Sequence, residues 1–189
     1  MTQGSIFIVT GPSGVGKGVI CQRLLLALAN MHLSVSATSR APREGDVEGV
    51  DYYFLSPDEF QKQAEAGAFL EWAQYNGNWY GTPKTAVEER LSRGRNILLE
   101  IEVQGALMVK ERFPAACLIF VEPPSADALV ERLRGRGKDT EEAIVSRVEI
   151  AKEELKLKDR FDYVVMNDDL DNCFAKVINI INSYRPVHS

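Results

Sequence analysis

The sequence predicts an α/β fold in which a parallel β-sheet is covered by helices on both faces. Short apolar runs typical of strands alternate along the chain with helical segments, an order that implies right-handed crossovers between parallel strands. The first run, Ile6, Phe7, Ile8 and Val9, leads directly into a glycine-rich turn and a helix start. With 189 residues, the chain has the length of one domain carrying small inserted lobes.

The predicted elements follow this alternation in chain order. Each predicted strand is a short apolar run, and the helical segments lie between these runs or after the last one. Strands are predicted at residues 5–10, 33–38, 96–102, 116–122 and 163–166. Helices are predicted at residues 16–30, 103–112, 126–134, 140–157 and 170–184.

Two segments interrupt the alternation. Residues 39–83 are rich in glycine, tyrosine and tryptophan, and residues 75–79 (Tyr-Asn-Gly-Asn-Trp) have the composition of a hairpin turn. We interpret this region as an inserted β-rich lobe. Residues 124–158 are dominated by charged helix, which we interpret as a mobile helical lid. The predicted division is a core at 1–35, 84–124 and 159–189, a lobe at 36–83 and a lid at 125–158.

A phosphate-binding P-loop is predicted between the first strand and the first helix. Its glycines allow the backbone to wrap around phosphate oxygens and point successive N–H groups inward. The helix that follows presents the positive end of its dipole, and Lys17 adds a full charge near the outer phosphates. A glycine-rich turn without a ligand is the alternative, but spacing, lysine and flanking strand all agree with a nucleoside triphosphate site in a P-loop NTPase-type core. The loop consists of Gly11, Pro12, Ser13, Gly14, Val15, Gly16, Lys17 and Gly18.

Gly18 departs from the usual form of this loop, which closes with a serine or threonine whose hydroxyl ligates Mg²⁺. Val19 offers no hydroxyl either. We therefore expect no protein ligand to the metal, and Mg²⁺ held by phosphate oxygens and water. Small nucleotide kinases of the adenylate kinase kind also carry glycine here, so the departure favours a kinase over a GTPase switch.

Composition narrows the expected partners and compartment. The net charge of −5 argues against a general binder of nucleic acid or anionic membranes, so basic residues should act locally. Cys21, Cys117 and Cys173 are widely spaced and odd in number, which fits reduced thiols in the cytoplasm better than a disulfide framework. With His32 and His188 as the only histidines, we expect neither a zinc site nor histidine-based catalysis. We also expect no signal peptide and no transmembrane segment.

Two arginines in the lobe suggest a second phosphate site. Arg40 and Arg43 flank Pro42, which disfavours helix and predicts an extended loop displaying both guanidiniums. Each guanidinium can bond two oxygens of a phosphate monoester at once. On these residues alone, a solvated basic loop remains open.

Aromatic residues and a carboxylate follow in the same lobe. The hydroxyl of Tyr52 can donate to a phosphate. The carboxylate of Glu71, next to Trp72, would suit guanine, whose N1–H and N2–H₂ present adjacent donors to two acceptor oxygens. Taken alone, Glu71 fits an ordinary exposed glutamate better.

Together, these motifs resemble the guanylate kinase family. The resemblance extends from Ile6 to about Ile181, and several independent motifs occur in the same order. It implies transfer of the γ-phosphoryl group of ATP to GMP, and also to dGMP, with Mg²⁺ as cofactor and ADP and GDP as products. This reaction is a step in GMP recycling and GTP supply. The matching segments are residues 11–18, 36–54, 70–82, 99–105, 133–137 and 167–169.

The resemblance implies site residues on both nucleotide sides. For the phosphate of GMP, it implies Arg40, Arg43, Tyr52 and Tyr80. For guanine and its surroundings, it implies Ser36, Glu71, Gly81, Thr82 and Glu100. For ATP, it places Gly14, Gly16, Lys17 and Gly18 around the phosphates and Asn167 and Asp168 near the adenine.

Two lid arginines complete the catalytic set that the resemblance implies. Arg136 and Arg147 would swing over the phosphates between the two nucleotides, and Arg136 also belongs to the ATP site. Without the resemblance, both lie in a run full of charges and fit a solvated helix surface. The residues expected to neutralise phosphate charge are Lys17, Arg40, Arg43, Arg136 and Arg147.

Two positions depart from the family pattern. Glu102 stands where Asp is common, and its extra methylene could shift a water ligand of Mg²⁺ or an ion pair with a lid arginine. Ser39 stands where Thr is common before the first lobe arginine, and the hydroxyl is kept.

Two alternatives to an active guanylate kinase are weighed against these residues. One is a non-catalytic guanylate-kinase-like module whose lobe binds phosphopeptides; such modules typically lack an intact P-loop, whereas this chain keeps Lys17 with its glycines. The other is a kinase for AMP or a pyrimidine monophosphate. Glu71 with Thr82 argues against it, because adenine offers a carboxylate no adjacent pair of ring donors. The sequence leaves open whether the chain is a monomer or a homo-oligomer.

Overall fold

The computed structural model describes residues 3–135 and 140–185, which form two β-sheets and their covering helices. In chain order the strands are β1 (Ile6–Thr10), β2 (Met31–Leu33), β3 (Ser36–Thr38), β4 (Tyr52–Phe54), β5 (Phe69–Tyr75), β6 (Asn78–Pro83), β7 (Asn96–Glu100), β8 (Cys117–Glu122) and β9 (Tyr163–Met166). The helices are α1 (Lys17–Ala27), α2 (Pro57–Glu65), α3 (Lys84–Ser92), α4 (Val103–Arg112), α5 (Ala126–Gly135), α6 (Glu141–Leu155) and α7 (Leu170–Ser183).

The larger sheet has five parallel strands in the order β2-β7-β1-β8-β9. Successive residues of the central strand β1 point to opposite faces, and all of them are buried. Ile6 and Ile8 pack into a core with α3 and α4, whereas Phe7 and Val9 pack into a core with α1 and α7. Both faces of the sheet are therefore covered, which confirms the predicted fold class.

The smaller sheet is mixed, with strand order β4-β3-β6-β5, and all its strands lie within residues 36–83. Phe60 of α2 stacks on Phe69 and on Trp79, with ring centroids 4.6 and 6.3 Å apart respectively. The predicted hairpin turn is confirmed, because Asn76 and Gly77 both have positive φ, 47° and 78°, as a tight turn between twisted strands requires.

Helices α5 and α6 pack against each other through a small apolar cluster of Leu129, Leu133, Ile144 and Ala151. Leu133 also reaches the glycine-rich loop, since a Cβ on Gly14 would lie 2.8 Å from its side chain. The division of the chain into core, lobe and lid stays a prediction; lobe denotes residues 36–83 and lid residues 125–158.

Most predicted elements are confirmed within a few residues of their ends, but the predicted strand at 33–38 is wrong. The chain changes sheets within it: Leu33 pairs with Leu98 in the larger sheet, and Ser36 pairs with Tyr52 in the smaller one. Helix α1 ends at Ala27 rather than at residue 30, because the next residue is already extended.

Helices α2 and α3 were not predicted. Helix α2 begins with a capping box, in which the Ser56 hydroxyl accepts from the Glu59 N–H and the Glu59 carboxylate accepts from the Ser56 N–H. Pro57 occupies the first helical position. This start signal is readable in the sequence. Among the helices of residues 3–135 and 140–185, none is long and apolar enough to cross a membrane.

Candidate active site

A cavity of about 650 Å³ lies where the carboxyl end of the larger sheet meets the smaller sheet and α6. Open α/β sheets bind their ligands at this end of the strands. The predicted site residues that line the cavity are Ser13, Ser36, Arg40, Arg43, Tyr52, Glu71, Tyr80, Gly81, Glu100 and Arg147. The structure therefore brings together residues from the P-loop, both sheets and α6.

The loop after β1 has the backbone that a phosphate cradle requires. Gly11, Gly14 and Gly16 have φ angles of 138°, 91° and 102°, a region that other residues rarely adopt. At Gly11 the neighbouring strand adds a second constraint, because a Cβ there would lie 2.1 Å from the carbonyl oxygen of Val121. Gly11 is thus required both for its backbone conformation and for its close packing against β8.

Lys17 is the first residue of α1 and folds back across this loop. Its Nζ donates to the carbonyl oxygens of Gly11 at 2.5 Å and Pro12 at 3.1 Å. Helix α1 starts at the left-handed Gly16 without a side-chain cap, so no side chain competes for its first N–H groups. Such a helix start with a lysine is suited to bind an anion.

Gly18 lies beside the carboxylate of Glu100. A Cβ on Gly18 would lie 3.5 Å from Glu100 Oε1, an ordinary contact distance, and its φ is not in the left-handed region. Burial raises the pKa of the Cys21 thiol well above its usual value, with the charge and hydrogen bond of Glu100 adding to the effect. This geometry places Glu100 beside the P-loop; its predicted guanine contact stays a prediction.

Glu71 is a buried carboxylate on β5 with 3% of its surface exposed. Thr82 Oγ1 donates to Glu71 Oε1 at 2.6 Å, and a Cβ on Gly105 would lie 2.4 Å from the other carboxylate oxygen. Burial raises the pKa of Glu71 to about 7, against hydrogen bonds from Thr82 and the charge of Arg112, which lower it. Glu71 is therefore no ordinary surface glutamate.

Gly105 is the last residue of the segment 99–105 that resembles the family, and the sequence alone assigns it no role. It lies in α4, where a side chain would fill the place that the Glu71 carboxylate occupies. A glycine two residues into a predicted helix was the available sequence signal, because glycine costs helix stability and needs a reason.

Arg40 is held against aromatic rings by an acidic partner. Its guanidinium carbon lies 5.3 Å from the ring centroid of Tyr52, and its Nη2 donates to Asp46 Oδ2 at 2.8 Å. The rings of Tyr52 and Tyr80 meet edge to face, with centroids 5.9 Å apart. Burial, with the neighbouring charge of Tyr80, raises the pKa of Tyr52 to about 12, so its hydroxyl stays protonated and can donate.

Asp46 organises the loop that carries both arginines, and sequence reasoning missed it. The same Oδ2 accepts from the Arg43 backbone N–H at 2.8 Å. The hydrogen bond from that N–H, followed by the one from the Arg40 guanidinium, lowers the pKa of Asp46. Its place three residues after Arg43, beyond Glu44 and Gly45, suits a turn, but nothing in that pattern identifies Arg40 as its partner.

The lid contributes Arg147, whose Nη1 lies 3.5 Å from Ser13 Oγ of the P-loop. Glu154, on the same helix, also lines the cavity. Burial raises its pKa to about 7, the charge of Glu102 raises it further, and Lys17 opposes both. Arg136, the other predicted lid arginine, lies outside the described residues.

Asn167 and Asp168 follow β9. The Asn167 side chain is buried, and its Nδ2 donates to the carbonyl oxygen of Val15 at 2.7 Å. Asp168 is exposed and accepts the Asp169 N–H at 2.8 Å. Arg132 of α5, a residue that sequence reasoning missed, also approaches the Val15 oxygen, at 3.4 Å. The predicted contacts of Asn167 and Asp168 with adenine stay predictions.

Side chains from two parts of the chain thus face one cavity: Ser13 from the P-loop, and the arginines and tyrosines of residues 36–83. That division defines the class of P-loop kinases that phosphorylate nucleoside monophosphates. The family comparison specifies the member of this class: the guanylate kinase family profile matches residues 3–184, and the chain belongs to that family.

Individual relatives agree over nearly the whole chain. The chain is 50% identical to the guanylate kinase of Synechocystis sp. over 179 residues, 95% of this chain and 94% of that protein. It is 47% identical to the guanylate kinase of Desulfitobacterium hafniense over 178 residues, 94% of this chain and 89% of that protein. The fold also matches the crystal structure of guanylate kinase from Anaplasma phagocytophilum, with a TM-score of 0.79 and 33% sequence identity. The match covers 97% of this chain and 87% of that one.

Proposed function

We propose that the protein transfers the γ-phosphoryl group of ATP to GMP, giving ADP and GDP, with Mg²⁺ as its metal. The observation that carries the proposal is the buried Glu71 carboxylate, which Thr82 bonds and which lines the same cavity as Ser13 of the P-loop. The acceptor base and the donor phosphates would then bind on opposite sides of one site.

Guanine recognition rests on the ionised Glu71 carboxylate. Guanine presents N1–H and N2–H₂ side by side, and a carboxylate accepts both with its two oxygens. The Thr82 hydroxyl already bonds Oε1, so the carboxylate orientation is set before the base binds. Adenine has no equivalent pair of donors and would leave the buried carboxylate unpaired, which costs binding strongly. The proposed surrounding contacts are Ser36, Gly81, Thr82 and Glu100.

The phosphate of GMP would bind to the aromatic and basic surface beside this pocket. Arg40 and Arg43 supply positive charge, and the hydroxyls of Tyr52 and Tyr80 supply donors. Because Asp46 holds Arg40 in place, the guanidinium is ordered without a nucleotide, which reduces the entropy lost on binding. None of these proposed contacts involves the 2′-hydroxyl of the ribose. We therefore propose dGMP as a second substrate.

The ATP phosphates would bind to the N–H groups of residues 11–18 and to Lys17. The Glu100 carboxylate lies beside Gly18, where other P-loops project a hydroxyl, so its oxygens could accept hydrogen bonds from the waters of a bound Mg²⁺. When bound, Mg²⁺ neutralises charge on the phosphates as the phosphoryl group transfers. We propose that it is held by phosphate oxygens and water, with Glu100 as the carboxylate beside Gly18.

Catalysis would consist of alignment and charge neutralisation, since phosphoryl transfer needs no strong protein base. Lys17, Arg40 and Arg43 supply charge from the core and the lobe. Arg147 and Arg136 would supply it from the lid, and an arginine at this place is worth roughly 10³-fold or more in rate. Closure of the lobe and lid would exclude water, which otherwise accepts the phosphoryl group.

We also propose that the protein works in the cytoplasm. Cys21, Cys117 and Cys173 are free and buried, as structural thiols are in a reducing compartment.

The decisive experiment measures coupled ADP release from Mg²⁺–ATP with GMP, dGMP, AMP, CMP and UMP offered separately. The proposal expects fast turnover with GMP and dGMP only. Turnover with AMP or a pyrimidine nucleotide instead would overturn the assignment of the guanine pocket. GMP binding by calorimetry without turnover would identify a binding module rather than an enzyme.

A further inference from the structure

The buried side chain of Asn167 contacts the P-loop at one particular peptide group. It is 4% exposed, and its amide donates to the carbonyl oxygen of Val15 at 2.7 Å. The Val15 carbonyl belongs to the same peptide group as the Gly16 N–H. In a trans peptide these two groups point in opposite directions within one plane. Whatever fixes the carbonyl therefore also fixes the N–H.

The Gly16 N–H is the donor whose direction this contact sets. Within the described part of the chain, no backbone carbonyl accepts from it, which leaves it for a ligand. Gly16 precedes Lys17 at the start of α1, where anions bind to helix N–H groups. An N–H held in one direction before binding costs no reorganisation when the phosphate arrives.

Gly16 and Asn167 fit each other too closely for a larger residue. A Cβ on Gly16 would lie 2.8 Å from Asn167 Nδ2, and the φ of 102° already disfavours a side chain. The absent side chain of Gly16 thus makes room for the amide that holds the preceding carbonyl.

Asn167 is itself fixed from two directions. Its backbone N–H donates to the carbonyl oxygen of Glu122 at the end of β8, at 2.8 Å. Its own carbonyl accepts from Arg132 Nη2 at 2.8 Å, and Nη1 of the same arginine lies 3.4 Å from the Val15 oxygen. The contact therefore joins the P-loop to the sheet and to α5.

We propose that Asn167 is a positioning residue: its amide holds the Val15–Gly16 peptide so that the Gly16 N–H points at the triphosphate of ATP. This role rests on the proposed donor site and differs from a contact with adenine. Arg132 supports it by holding Asn167 and the same carbonyl.

Inorganic tripolyphosphate separates the two roles, because it carries the phosphates of ATP and no base. Calorimetry would measure the binding of ATP, tripolyphosphate and GMP to the wild type, Asn167→Ala and Asn167→Asp. Asn167→Asp keeps the shape and loses the donor, and Asn167→Ala loses the donor without adding charge. The matched control for added charge is Asn179→Asp, because Asn179 is an exposed residue on α7.

The proposal expects both Asn167 variants to bind ATP and tripolyphosphate about tenfold or more weakly, the loss typical of one hydrogen bond to a charged group. GMP affinity should remain within about twofold of wild type, and the KM for ATP should rise while the KM for GMP does not. Asn179→Asp should match the wild type.

Loss of ATP binding with tripolyphosphate binding unchanged would overturn the proposal in favour of an adenine contact. Equal loss for GMP and tripolyphosphate, with a large fall in melting temperature, would overturn it in favour of a purely structural role. These measurements use binding alone, so they stay informative if the wild type fails to phosphorylate GMP.

Discussion

Thr82 Oγ1 donates a 2.6 Å hydrogen bond to Oε1 of Glu71; both residues are buried, and Glu71 lines the cavity. The bond orients a carboxylate whose burial alone would favour the neutral acid. The pair therefore presents a fixed carboxylate of the kind that the proposed guanine recognition requires.

Replacing Glu71 by glutamine tests this pair directly. Glu71→Gln keeps the size and removes one acceptor, putting an NH₂ group opposite guanine donors. We expect kcat/KM for GMP to fall by ~10²-fold or more, since buried hydrogen-bond readout discriminates strongly. Steady-state kinetics check this, with Glu65→Gln on the exposed face of α2 as the matched control. An unchanged specificity constant would remove Glu71 from the site.

We expect GMP recognition to depend on pH through the carboxyl group of Glu71. Burial raises the pKa of this carboxyl to about 7, and only the ionised form accepts both guanine donors. Between pH 8 and pH 6 the ionised fraction falls about tenfold, so we expect kcat/KM for GMP to fall by a similar factor. A pH profile that is the same in Glu71→Gln and in the wild type would contradict this explanation.

The raised pKa of Glu71 affects the stability of the fold in the opposite direction, because it makes the protein less stable as pH rises. The folded pKa of Glu71 lies above the unfolded value, so the folded state binds the proton more tightly. The stabilisation from this proton is fully present below about pH 4.5 and is lost as pH rises through about 7. Glu154, whose pKa is also raised to about 7, changes the stability in the same direction. We expect the fall in melting temperature of the nucleotide-free protein between pH 5.5 and pH 8 to be smaller in Glu71→Gln than in the wild type.

A methyl group on Gly105 should damage guanine recognition without touching the P-loop. Its Cβ would lie 2.4 Å from the Glu71 carboxylate, so the carboxylate must move away from its present place. We expect Gly105→Ala to lower kcat/KM for GMP about tenfold or more, because sub-ångström positioning matters for such contacts. The KM for ATP serves as the internal control and should stay within about twofold. Equal effects on both substrates would show a general loss of structure.

The sequence predicts the elements of this site better than the contacts between them. Lys17 and its glycines are contiguous, so spacing alone predicts the P-loop. Arg132 and Val15 are 117 positions apart in the sequence, so no local sequence pattern predicts their contact.

The lobe shows the same difference between local signals and long-range contacts. Asn76 and Gly77 predict a hairpin turn correctly because the turn is local. The chain leaves the larger sheet at Leu33 and enters the smaller one at Ser36. The apolar sequence pattern continues through residues 33–38 without a break, so it could not predict that this segment forms two strands.

Two glycines of the P-loop should respond oppositely to substitution. Gly18 has ordinary φ, lies in a helix and has room for a Cβ 3.5 Å from Glu100. We expect Gly18→Ser to fold, with a melting temperature within about 3 °C of wild type, because serine is a better helix former than glycine. Its hydroxyl would add a possible ligand where this loop has none, so the Mg²⁺ concentration for half-maximal rate should change.

Gly11→Ala is the contrasting variant. The φ of 138° and the carbonyl of Val121 at 2.1 Å from a Cβ both oppose a side chain, so strand β8 or the loop must move. We expect a fall in melting temperature of roughly 5 °C or more, together with weaker ATP binding. Thermal melts and ATP calorimetry on both variants check the pair. A Gly18→Ser protein as unstable as Gly11→Ala would show that Gly18 is needed for its backbone, and the Mg²⁺ argument would then fail.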